Sequence, residues 1–304
     1  MTSHMHPRRI TVILNPAAGA EDKVSLQGRL TEFFAQRDIG CQIHLIGPGD
    51  EIARTAQAAV RDGHDAVVAG GGDGTVSAVA SALVDTECAL GVLPVGTLNH
   101  FAKDLHIPSD VAKAADVIAT GEIRQVDVGE VNGKIFINNS SLGLYPSMLR
   151  GREREQRLGR SKTMALWWAL LAVLRRYPLL RVRLTTDDGK EFTRRTPVVF
   201  IGSNQYEMKG FEIGSRLSLD GGKLALYVAR HHGRWSLIRM GIEAVLGRLH
   251  RGADFDFVST EEIKIETGRN KLHVSTDGEV SAFVPPLLYR IRPLALRVIV
   301  SAAE

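Results

Sequence analysis

Cysteine is almost absent: the 304 residues contain two, Cys41 and Cys88, in otherwise apolar stretches and in no spacing motif. That excludes a disulfide framework and gives no support to a metal or redox site, so both read as buried reduced thiols. Long apolar runs are missing too. The longest, Met164–Leu174, has 11 residues, short of the roughly 20 needed to span a bilayer. After MTSHMHPRR comes only the short run Ile10–Leu14, whereas a secretory leader needs roughly 7–15 apolar residues. The expectation is a cytoplasmic chain able to touch the inner membrane face. Apolar residues at 44% and charged residues at 24% sit near the globular average, which excludes a disordered tail and a collagen-like chain. The length is about twice the roughly 150 residues of one domain, so two domains are expected.

The first 120 residues alternate. Strands are predicted at 10–14, 41–46, 65–70 and 89–94, and helices at 23–36, 51–61, from about 75 to 83, 98–105 and 109–120. Short apolar strands separated by helices imply parallel pairing with right-handed crossovers. From about Gln125 the rhythm changes to strands at 126–131, 134–138, 180–186, 197–202, 223–228, 262–266 and 271–275. Turn pairs such as Asn132-Gly133 and Asp188-Gly189 signal hairpins, and helical stretches are expected at 161–176 and 235–250. The fold class is therefore α/β plus mostly β: an open α/β domain over 1–125 and an antiparallel β-sandwich or barrel over 126–293. The last run, 294–304, is free to return to either domain.

Three polar, glycine-bearing turns follow strands of the first domain. The densest is Gly70-Gly71-Gly72-Asp73-Gly74-Thr75. Glycines there let backbone amides approach an anion, and a helix N-terminus adds positive potential, so phosphate is the natural ligand. The dinucleotide pattern G-x-G-x-x-G would want glycine where Thr75 stands, and no Gly-Lys-Ser/Thr ending occurs anywhere. Asp73 is out of place in a plain phosphate cradle; it suits a magnesium ion or an attacking hydroxyl. The other two turns are Asn15–Gly19 and Pro94–Asn99, which fall where α/β sheets bind ligands.

These turns, in this order, resemble the diacylglycerol kinase catalytic family, which includes bacterial lipid kinases, sphingosine kinases and ceramide kinases and is distantly similar to NAD kinases. The resemblance continues through Asn138–Tyr145 (NNSSLGLY), Leu217–Leu224 (LSLDGGKL) and Asp277-Gly278-Glu279. It implies an NAD kinase-like or lipid kinase-like nucleotide domain followed by a β-sandwich, with ATP and magnesium as cofactors. It also implies nucleotide contacts from Asn15, Pro16, Ala17, Ala18, Gly19, Gly71, Gly72, Asp73, Gly74, Thr75, Val76, Ser77, Ala78, Thr97 and Asn99. Glu279 becomes the proton acceptor, with Asp277 and Asp73 near the catalytic magnesium. A second, structural magnesium falls to Asp220, with carbonyls of Leu217 and Gly222. Two positions depart from the family pattern: His100 stands where many relatives carry aspartate, and Gly47-Pro48-Gly49 where many carry threonine.

The implied reaction is transfer of the ATP γ-phosphate to a lipid hydroxyl, diacylglycerol first. A same-fold kinase acting on a sphingoid base, another lipid or NAD is the rival, and a non-catalytic nucleotide-binding regulator is the alternative of another class. The net charge of +4 is unevenly spread. Residues 150–176 hold seven arginines and Lys162 against Glu153 and Glu155, net +6, and 230–251 hold five arginines against Glu243, net +4. Both stretches also carry tryptophan and aliphatic residues, which suits an anionic membrane interface. No zinc-finger, helix-turn-helix or RNP-like pattern accompanies the arginines, so nucleic acid is not expected as a partner. The sequence leaves the oligomeric state open, a homodimer included.

Overall fold

The computed structural model describes residues 3–4, 7–19, 22–47, 49–143, 146, 179–209, 212–230 and 255–302. The helical stretches expected at 161–176 and 235–250 lie outside the described residues. The chain forms two compact units, Met1–Val128 with Pro293–Glu304, and Gly129–Arg292.

The first unit contains β1 (Ser3–His4), β2 (Arg9–Leu14), α1 (Lys23–Ala35), β3 (Gly40–Leu45), α2 (Asp50–Arg61), β4 (Ala66–Gly70), α3 (Asp73–Leu83), β5 (Ala89–Leu93), α4 (His100–Asp104) and α5 (Val111–Thr120). Every residue of β4 and β5 is buried, as expected for parallel strands covered on both faces by helices. β2 pairs in parallel with β3 and β4, and β4 with β5. β3 is the half-exposed edge, with Gln42 and His44. Asp22 caps α1 by accepting from the amides of Val24 and Ser25. Asp110 caps α5 through the amide of Lys113. α3 begins at Asp73, two residues before the sequence expectation, because Gly72 takes an extended conformation and serves as its N-cap. An aspartate in that first turn favours the helix, since its charge opposes the dipole. Cys41 and Cys88 are free. Burial pushes both thiols up to about 12, so neither is a thiolate at neutral pH.

The second unit contains β7 (Lys134–Phe136), β8 (Asn139–Gly143), β9 (Leu180–Thr186), β10 (Glu191–Thr196), β11 (Val198–Ser203), β12 (Tyr206–Lys209), β13 (Glu212–Arg216), β14 (Leu224–Ala229), β15 (Phe255–Thr260), β16 (Glu262–Thr267), β17 (Leu272–Thr276) and β18 (Glu279–Phe283). Two strands, β6 (Glu122–Val131) and β19 (Leu287–Val300), continue from one unit into the other. Val298 of β19 pairs in parallel with Leu90 of β5, so the last run returns to the first unit's sheet. One antiparallel sheet runs β15-β14-β11-β8-β17-β18; β10, β9, β16 and β19 form a second antiparallel set. Inward residues of both sets form one core that includes Leu142, Val182, Leu184, Ile201, Leu226, Ile265, Val274 and Tyr289. β9 alternates buried and open positions along its length, which is the signature of a sandwich face. Each such buried aliphatic side chain contributes roughly 1.5–3 kcal/mol.

Candidate functional site

In the first unit the three glycine-bearing loops converge at the start of α3. Asn15 ties the first loop to that helix: its amide donates to the Thr75 hydroxyl at 3.1 Å, its side-chain oxygen accepts from the Ala17 amide at 2.9 Å, and its backbone N–H reaches the Gly70 carbonyl at 2.8 Å. A methyl group on Gly71 would collide with Thr75. Gly96, in the third loop, lies so close to Gly72 that an added Cβ would stand 2.3 Å from the Gly72 Cα. Gly19 has a φ of +69°, and a Cβ there would meet the Val95 carbonyl oxygen at 2.3 Å. Backbone is thus packed against backbone around the helix N-terminus. Gly72 supplies no side-chain cap, which leaves amides of the first turn of α3 available to an anion.

Asp73 stands in that first turn, half-buried, and its Oδ1 accepts from the Phe101 amide at 3.3 Å, fastening α4 to α3. Asn99 has a left-handed conformation, and its amide donates to the carbonyls of Pro94 and Gly96 at 3.0 and 2.9 Å. Its Oδ1 is buried with no hydrogen-bond partner. A phosphate oxygen cannot satisfy that acceptor; a ribose hydroxyl, an amino group or a water can. Pro16, Ala17, Gly19, Gly74 and Thr97 are exposed, and Ala18, Ser77 and Ala78 half-buried. Val76 and Thr75 are buried. His100 is exposed at the start of α4, and an added Cβ on Gly47 would meet nothing within 4 Å.

In the second unit Asp277 and Gly278 form the tight turn between β17 and β18, with φ of 48° and 87°. Positive φ at both positions defines the type I′ hairpin turn. The Asp277 carboxylate accepts from three successive amides, Ile137 at 2.8 Å to Oδ2, and Asn138 and Asn139 at 2.9 and 3.1 Å to Oδ1. Its own amide donates to the Asn139 carbonyl at 2.8 Å. A carboxylate so engaged anchors the turn, a structural duty that the sequence reading, which set it beside a magnesium ion, did not foresee. Glu279 follows the turn with its side chain 67% exposed and pairs with Lys134 at 3.5 Å. Lys134 also donates to the Ser281 hydroxyl at 2.9 Å. Sequence reasoning missed Lys134; the Asn132-Gly133 hairpin signal that places it on β7 was the available clue.

Asp220 lies on a separate exposed turn, where the Ser218 hydroxyl donates to its Oδ1 and its amide donates back to that hydroxyl at 3.1 Å. Gly222 has a φ of +66°, and Leu217 is 57% exposed. Among the described residues no three His, Cys, Asp or Glu side chains cluster as metal ligands. One carboxylate with neighbouring carbonyls fits a partly hydrated magnesium ion, which commonly takes one or two carboxylates and keeps several waters.

A parallel sheet with three glycine-bearing loops at the start of one helix, followed in the chain by an antiparallel sandwich, is the NAD kinase-like fold. A yeast NADH kinase structure superimposes with a TM-score of 0.55 at 13% identity, over 98% of this chain and 84% of that one. Residues 9–131 match the diacylglycerol kinase catalytic domain and residues 150–300 the YegS C-terminal NAD kinase beta sandwich-like domain. Residues 9–131 thus belong to the diacylglycerol kinase catalytic domain family. It is similar to the diacylglycerol kinase of Bacillus subtilis, 28% identical over 288 residues that cover 91% of this chain and 92% of that protein. The diacylglycerol kinase of Staphylococcus aureus is 25% identical over 296 residues, 91% and 88% of the two chains. The structure of a putative diacylglycerol kinase from Bacillus anthracis shares the fold with a TM-score of 0.76 at 21% identity, over 98% of both chains. Family membership makes this chain a kinase.

Proposed function

We propose that the chain transfers the γ-phosphate of ATP to the hydroxyl of a membrane lipid, diacylglycerol in the first instance. The observation that carries this is the start of α3, which has no side-chain cap and is ringed by three glycine-bearing loops with Asp73 in its first turn. That arrangement supports a nucleotide triphosphate, and the relatives' names supply the lipid acceptor.

The amides at the head of α3 would bind the phosphates, and the loop glycines would let backbone approach them. Asp73, held through Oδ1 by the Phe101 amide, keeps its second oxygen for a nucleotide-bound magnesium ion. That ion would supply charge neutralisation on the phosphates. Glu279 is the proton acceptor: as the lipid oxygen forms its bond to phosphorus and the bond to ADP breaks, the hydroxyl proton moves to the carboxylate. Lys134 lies 3.5 Å from the Glu279 carboxylate. Asp220, with Leu217 and Gly222, is the proposed structural magnesium turn. The basic, apolar stretches at 150–176 and 230–251 would hold the enzyme transiently on the anionic inner membrane face.

The test is incubation with ATP labelled at the γ-phosphate, over a lipid extract and over a soluble metabolite extract. Label is expected in chloroform-soluble phosphatidic acid. Asp73→Ala and Glu279→Ala should each reduce it by at least about 100-fold with unchanged circular dichroism. Label confined to water-soluble products would overturn the lipid acceptor. ATP binding without magnesium-dependent turnover on either extract would make the chain a nucleotide-binding regulator. Near-normal turnover by Glu279→Ala would remove that residue as the base.

A further inference from the structure

The peptide group joining Ile137 to Asn138 lies between two opposite charges. Its carbonyl accepts from Nη1 of Arg216 at 2.6 Å, and its N–H donates to Oδ1 of Asp277 at 2.9 Å. Arg216 ends β13 and is buried to 8% exposure. Its guanidinium also reaches the Asn138 side-chain oxygen at 3.3 Å and the Ser203 carbonyl at 3.5 Å. The Asn138 carbonyl is taken in turn by the Ser203 amide at 3.0 Å and the Tyr206 hydroxyl at 2.9 Å. The short connection between β7 and β8 is thus gripped on its carbonyl side by a cation and on its amide side by Asp277.

We infer that Arg216 is a positioning residue for Glu279, acting through the 137–138 peptide and Asp277. A cation at the carbonyl end of a peptide polarises its N–H, so the bond to the Asp277 carboxylate strengthens. That carboxylate fixes the Asp277-Gly278 turn, and the turn sets where the next residue, Glu279, leaves the strand. The planar guanidinium meets the Ile137, Asn138 and Ser203 oxygens through two nitrogens held in a fixed fork, a geometry that the compact ammonium of lysine does not reproduce. Arg216 also opens the segment that carries Asp220, so the proposed structural metal turn and the proposed base share one anchor.

The inference rests on Glu279 as the base, and the experiment separates the two. Steady-state kinetics are measured for Arg216→Met, Asp277→Asn, their double variant, Arg216→Lys and Glu279→Gln, each checked by thermal unfolding. Arg216→Met and Asp277→Asn should each lower kcat roughly 10- to 100-fold, with KM for ATP within about twofold. Because they form one unit, the double variant should be about as slow as the slower single one. Losses that multiply, or that appear only in KM, would overturn the relay. Arg216→Lys should fold and sit between wild type and Arg216→Met; it replaces the methionine variant in the cycle should that one not fold. Glu279→Gln with near-normal kcat refutes the base assignment whatever the cycle gives, and an inactive Glu279→Gln beside multiplying losses refutes the relay alone.

Discussion

Gly96 is needed for space, not for an unusual backbone angle. Its φ is not positive, yet a Cβ would sit 2.3 Å from the Gly72 Cα and 2.9 Å from the Gly72 nitrogen. Backbone cannot yield as a flexible side chain can, so Gly96→Ala must push the third loop away from the head of α3. The expected cost is about 1–3 kcal/mol of stability, read by urea unfolding, with at least a tenfold rise in the Kd for ATP. Unchanged ATP affinity would show that the loop contact has no part in nucleotide binding. The same residue-level view separates the two acidic groups of the second unit. Glu279 is open and pairs with Lys134, whereas Asp277 is engaged by three amides. Their spacing in sequence, two residues apart, carries no hint of that division. The amides that bind Asp277 lie 138 to 140 positions away, and such partners are invisible without the fold.

At the scale of elements, the β17–β18 hairpin converts backbone strain into placement. Gly278 has a φ of +87°, and a Cβ there would meet nothing within 4 Å. Gly278→Ala therefore costs only left-handed strain, roughly 1–2 kcal/mol, and should lower the melting temperature by a few degrees. Its effect on kcat should exceed what that loss of fold predicts, because Glu279 follows directly. A kcat equal to wild type at a temperature where the variant is folded would remove the hairpin from the mechanism. The parallel half was readable because β2, β4 and β5 are continuous apolar runs buried on both faces. The antiparallel half was read less completely. β8, β10, β12, β13, β15 and β18 passed unnoticed, since NSSLG, EFTRRT, YEMK, EIGSR, FDFVST and EVSAF lack such runs. β8 is the instructive case: Ser140 and Ser141 are buried, and Ser140 meets the hydroxyl of Tyr289 at 3.0 Å. A strand that buries serines leaves no continuous hydrophobic pattern to find. The motif NNSSLGLY marked its place by resemblance alone.

For the whole molecule, charge distribution is the property that a lipid kinase has to exploit. The total of +4 hides stretches of +6 at 150–176 and +4 at 230–251, so the remaining residues sum to −6. Both basic stretches lie outside the described residues, and no helix among the described residues is long and apolar enough to cross a membrane. The proposed attachment combines electrostatic attraction of the arginines with shallow insertion of tryptophan and aliphatic side chains. A basic residue close to an anionic leaflet contributes about 1 kcal/mol, and the attraction fades over a Debye length of roughly 8 Å at physiological salt. Flotation should therefore recover the protein with vesicles of phosphatidylglycerol and phosphatidylcholine, and lose it from pure phosphatidylcholine. Raising salt to about 0.5 M should release most of it. Arg157→Glu combined with Arg160→Glu should weaken vesicle binding several-fold while leaving phosphorylation of detergent-dispersed diacylglycerol near normal. Equal binding to neutral and anionic vesicles would show that the apolar residues act without the arginines. No binding to either, in an enzyme that still phosphorylates dispersed lipid, would mean that the acceptor reaches the site without a docked surface.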